Sequence, residues 1–116
     1  MEIKTVNTIL YCTRWKETVE FYATGLGLER LSTREWFVEF QLTDSTWLSI
    51  ANETRSSIKS AGGRGITISM AVADLQSTYL TLKEKKLSPT PIKALWGSRV
   101  FYLYDPEGNR LEFWCC

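Results

Sequence analysis

One order of patterns runs through this chain twice, and that repetition limits the possible folds more than any single motif. Residues 2–12 read as a strand, with Val6, Thr8 and Leu10 on one face and Asn7, Ile9 and Tyr11 on the other. Thr13 is placed to cap a helix whose apolar positions Trp15, Val19, Tyr22 and Leu26 recur at helical spacing, with Gly25 and Gly27 ending it. Strands are predicted next over 28–33, 35–42 and 46–51, the last two joined by the turn Thr43-Asp44-Ser45. The small polar residues of 53–64 read as a linker. Then the order returns: a strand over 65–73, a helix capped by Asp74 with Leu75, Tyr79 and Leu82 on one face, an edge strand opened by Pro89 and Pro91, and a hairpin.

The hairpin is the best-marked stretch. Arg99–Tyr104 and Arg110–Trp114 are rich in aromatic and β-branched residues, and Asp105-Pro106-Glu107-Gly108 lies between them. Pro106 presets φ for a tight turn, Asp105 can bond back to the backbone, and Gly108 tolerates positive φ. The hairpin delivers Glu112 between apolar neighbours on a short strand. Such a carboxylate faces either solvent or a cavity.

Each βαβββ unit alone is too small to bury a stable core. The expected architecture is therefore α+β within a single domain of 116 residues. Module one spans 1–52 and module two 65–116, with helices outside and both sheets curled around a shared cleft.

Composition closes off several function classes. The net charge is +1 with Lys and Arg scattered, so no electrostatic footprint for nucleic acid or a membrane surface is expected. No apolar run approaches the roughly 20 residues that span a bilayer. The start, Met1-Glu-Ile-Lys-Thr, lacks the basic and apolar regions of a secretion signal, so the expected location is the cytoplasm. Cys12, Cys115 and Cys116 are an odd set without framework spacing, which argues against a disulfide scaffold. Histidine is absent, removing the most common metal ligand and general base.

Glu20-Phe21-Tyr22 followed by Gly25-Leu26-Gly27-Leu28, together with Asp105-Pro-Glu-Gly-Asn-Arg-Leu-Glu-Phe113, resembles the vicinal oxygen chelate superfamily. This superfamily includes glyoxalase I, extradiol dioxygenases, and fosfomycin- and bleomycin-resistance proteins. The resemblance covers nearly the whole chain. It implies paired modules with U-shaped mixed sheets around a pocket, and often a homodimer. It also implies four metal-ligand positions, which here carry Asn7, Ser49, Thr67 and Glu112. One carboxylate among neutral oxygens makes a weak site for Mg²⁺ or Ca²⁺ and a poor one for Zn²⁺ or Fe²⁺, so neither metal nor cofactor is expected.

If those four side chains face inward, period-2 alternation turns Ile9, Tyr11, Trp47, Ala51, Ser69, Ala71, Arg110 and Trp114 inward too. Leu48, Ile50, Ile66, Ile68, Met70, Leu111 and Phe113 then face the helices, and all are apolar. The resemblance puts Val100, Tyr102 and Tyr104 inward. The expected ligand-binding set is Asn7, Tyr11, Trp47, Ser49, Thr67, Tyr102, Glu112 and Trp114, with Trp36 and Trp96 at the mouth.

The leading expectation is a metal-free, non-catalytic protein that binds a small aromatic or heterocyclic compound, similar to the bleomycin-resistance branch. One rival is a lyase or dioxygenase-type enzyme with an oxygen-only metal site, or with Glu112 as acid or base if burial without a partner raises its pKa. Pairing of Glu112 with Arg99 or Arg110 is the plainer alternative. A second rival is a dimeric interaction module using the aromatic face.

Overall fold

The structure is a computed structural model that describes residues 1–116, in two compact units, Met1–Gly62 and Gly63–Cys116. Each unit is a βαβββ module with one four-stranded mixed sheet. In the first, strands β1 (Val6–Cys12), β2 (Arg30–Thr33), β3 (Phe37–Thr43) and β4 (Thr46–Asn52) lie in the order β1-β4-β3-β2. In the second, β5 (Thr67–Ala71), β6 (Lys93–Leu95), β7 (Ser98–Tyr104) and β8 (Arg110–Cys115) repeat it as β5-β8-β7-β6. The first strand of each module pairs parallel with the last, and all other pairs are antiparallel.

One face of each sheet is the core. Val38, Phe40, Leu48 and Ile50 are buried in the first module; Phe101, Leu103, Leu111 and Phe113 are buried in the second. The helix of the first module, α1 (Trp15–Glu20), packs through Val19 and donates Trp15 Nε1 to the Ile50 carbonyl at 2.9 Å. In the second, α2 (Leu75–Glu84) buries Leu75 and Leu82 and sets Tyr79 edge-on against Phe101, which stacks on Phe113 at 5.0 Å. Of the residues that alternation assigns to the helices, Leu48, Ile50, Leu111 and Phe113 are buried in this way, and Ile66, before β5, is only half-buried. Ile68 and Met70 on the outer strand β5 are only half-buried.

Several expectations are corrected. The first strand starts at Val6, not residue 2, because Val6 pairs with Thr46 at the start of β4 and the earlier residues have no strand beside them. The N-cap position of the first helix falls at residue 14, one after Thr13. Arg14 holds that position without a side-chain cap, and its carbonyl instead accepts the Thr18 hydroxyl at 2.7 Å. That helix widens into a π-helical turn over Phe21–Gly25, closed by the Leu26 amide on the Phe21 carbonyl, before Gly27 takes φ +68°. The 53–64 stretch includes a short 3₁₀ turn, Glu53–Arg55, capped by Asn52.

Other local signals hold. Asp74 caps α2 through the Ser77 amide at 3.0 Å. The Asp105 carboxylate accepts from the amides of Glu107 and Asn109 and from Asn109 Nδ2, each at 2.9 Å, and both Asp105 and Asn109 are buried. This turn is also a packing surface. Any side chain at Gly63 would run into the Gly108 carbonyl, so only glycine lets the start of the second module lie against it. Pro89 and Pro91 lack amide hydrogens, and Thr90 between them makes the ladder contact, its amide on the Tyr102 carbonyl at 2.9 Å and its hydroxyl accepting from the Tyr102 amide at 2.8 Å. The three-residue β6 beyond them is an edge strand, as such a stretch requires.

Candidate functional site

The second module carries a concavity of about 330 Å³ on the sheet face opposite α2. Its walls are Trp96, Trp114, Leu95 and Val100; its polar atoms come from Glu112, Ser69 and Ser98. Strand pairing explains the grouping. Ser69 lies opposite Glu112 across the parallel pair, Val100 opposite Trp114 across the antiparallel pair, and Leu95 opposite Ser98 at the β6–β7 turn. Glu112 is half-buried and accepts the Ser69 hydroxyl on Oε1 at 2.6 Å. Its second oxygen has no partner in the chain. The carboxylate therefore pairs with a hydroxyl, not with Arg99 or Arg110. A carboxylate accepts only, so the free oxygen selects a donor on whatever enters.

Arg110 has another place. Its Nε donates to Thr67 Oγ1 at 3.0 Å, and its guanidinium lies 4.5 Å from the Tyr102 ring centroid. The Lys93 ammonium lies 5.2 Å from the same centroid. Tyr102 neighbours Glu112 across the β7–β8 pair, but these cations attend its ring.

The first module holds Asn7, Tyr11, Trp36, Trp47 and Ser49. Ser49 is fully buried and donates to Asn7 Oδ1 at 2.8 Å. Trp47 pairs with Asn7 and Gln41, and Tyr11 faces Ala51. Trp36 packs its ring 5.2 Å from Phe37. Glu39 is a half-buried carboxylate that the alternation argument overlooks, because it concentrates on first and last strands. Glu39 faces Ser49 in the ladder and accepts from Ser32 at 2.7 Å.

Of the expected site residues, then, Glu112, Trp114 and Trp96 line one concavity; Thr67 and Tyr102 flank it on the same face. Leu95 and Ser98 were missed. Ser98 shares parity with Val100 and Tyr102 and was within reach of the pattern, whereas Leu95 depends on where the edge strand pairs.

The donor set does not fit a catalytic divalent ion. Nowhere do three His, Cys, Asp or Glu side chains cluster. Of the four superfamily ligand positions, Asn7 and Ser49 bond each other, Thr67 accepts from a guanidinium, and Glu112 is the sole carboxylate. Zn²⁺ and Fe²⁺ require more anionic or imidazole donors than this.

Residues 4–113 match the family model described as the Glyoxalase/Bleomycin resistance protein/Dioxygenase superfamily. The chain belongs to that superfamily. Among solved structures, a glyoxalase/bleomycin resistance protein/dioxygenase from Nocardioides is 19% identical at TM-score 0.81, covering 98% of this chain and 83% of that one. Lactoylglutathione lyase from Agrobacterium tumefaciens is 19% identical at TM-score 0.77, with 94% and 90% covered. An integron cassette protein from the mobile metagenome of V. cholerae is 15% identical at TM-score 0.74, with 98% and 96% covered. At these identities the likeness is one of fold. No curated protein matches the chain significantly.

Proposed function

We propose that this protein is a metal-independent binding protein that sequesters flat aromatic or heterocyclic compounds bearing an N–H donor. One observation carries the reading: the free Oε2 of Glu112 stands in a concavity walled by Trp96 and Trp114. A few placed polar groups among aromatic walls are the usual make-up of a small-molecule site. The two rings offer stacking area, and the carboxylate fixes the orientation of the guest. A homodimer in the cytoplasm is part of the same proposal. No helix is long and apolar enough to cross a membrane.

Native mass spectrometry with and without Ni²⁺, Mn²⁺, Mg²⁺ and Zn²⁺ tests the reading and reports the oligomer directly. The expected result is a dimer without stoichiometric metal, together with quenching of tryptophan fluorescence by 2-naphthylmethylamine. A metal bound one per chain and lost in Glu112→Gln would overturn the proposal in favour of a metalloenzyme.

A further inference from the structure

The turn between β6 and β7 consists of Trp96 and Gly97 alone, held between the Leu95–Ser98 pair. Both residues have positive φ, +48° and +79°, the combination that a type I′ hairpin turn requires. Gly97 adopts it without strain. The first position belongs to Asn, Asp or Gly, whereas a bulky side chain in the left-handed region is strained. Packing does not explain the tryptophan either, because Trp96 is 96% exposed. The residue opposes the local backbone preference and adds nothing to the core. Trp96 is nonetheless one of the residues that line the concavity with Trp114 and Glu112.

We propose that Trp96 is a ligand-gripping residue. Its ring covers one face of a flat aromatic guest that lies against Trp114 and directs an N–H to Glu112. The tight turn keeps the ring out at the pocket mouth, exposed when the pocket is empty and covered when it is full. This inference rests on reading the concavity as an aromatic-binding site.

The test pairs melting temperature without ligand and calorimetric affinity for 2-naphthylmethylamine in wild type, Trp96→Asn and Trp96→Phe. Asn suits the first position of the turn, so Trp96→Asn is expected to raise the melting temperature by about 4 °C. Losing the stacking ring is expected to weaken binding about tenfold. Trp96→Phe keeps both the strained backbone and a ring, so it should melt with wild type and bind within about threefold of it. Trp96→Asn binding as tightly as wild type, or melting several degrees lower, would overturn the role of Trp96. A wild-type protein that binds no naphthyl probe would instead sink the reading of the pocket itself.

Discussion

Ser49 and Glu112 occupy matching places in the two modules, yet their chemistry differs. Each sits on its module's last strand: Ser49 faces Ile9 and Glu39, and Glu112 faces Ser69 and Tyr102. Ser49 is fully buried, with its hydroxyl given to Asn7. Glu112 is half-buried, with one oxygen uncommitted. Two residues further along, Ala51 is buried, whereas Trp114 keeps 36% of its surface exposed. The helix-facing sides, by contrast, are the same apolar layer in both. The backbone repeat specifies a scaffold, and a few substitutions on the other face decide which half leaves a carboxylate oxygen uncommitted beside an exposed aromatic ring.

The sharpest way to break this comparison is in the cores. Phe40→Ala and Phe101→Ala each remove a fully buried ring and should each lower stability by about 3–5 kcal/mol in chemical denaturation. A large loss from only one of them would show that the helix-facing layers are not equivalent. Next in size is the carboxylate contrast. Glu112→Gln should weaken 2-naphthylmethylamine binding about tenfold by calorimetry, because the probe's ammonium loses its anionic partner and keeps only a neutral amide oxygen as acceptor. Glu39→Gln in the first module should leave that binding unchanged, and equal losses from the two would remove the assignment of the site to module two.

Trp114→Ala should cost roughly fivefold in affinity and much of the fluorescence response, with Trp47→Ala changing affinity by less than about twofold. The smallest contrast concerns the hydroxyls. Ser69→Ala frees Glu112 Oε1 from its 2.6 Å bond and loosens the carboxylate, so affinity should fall about threefold. Ser49→Ala should instead appear as about 1 kcal/mol of stability, with binding intact.

Much of the fold was legible because its signals are local. Asp105, Asn109 and the intervening proline and glycine announce their turn within five residues. Asp74 announces its helix within four. Leu48, Ile50, Leu111 and Phe113 announce the buried face by period-2 alternation, which needs no knowledge of neighbouring strands. The first helix opens one residue later than Thr13 suggests, with Arg14 at its N-cap, because nothing local says which residue begins the first turn. The start of β1 misled for a different reason. Glu2-Ile3-Lys4-Thr5 alternates like a strand, but β4 does not extend far enough to pair with it.

The candidate site was legible only as a list of inward-facing side chains. The sequence by itself determined the doubled βαβββ order, the apolar layer under each helix, the closing turn and the poverty of metal donors, all of which follow from residue type and short spacing. Tertiary structure alone decided which polar atoms are already taken. Ser49 reaches Asn7 across 42 residues, and Ser69 reaches Glu112 across 43. Those partnerships depend on strand register, where a shift of one residue would turn every side chain to the other face. The carboxylate oxygen left over from them lies in the concavity that β6, β7 and β8 line with Trp96 and Trp114, and it is the feature on which the proposed binding role rests.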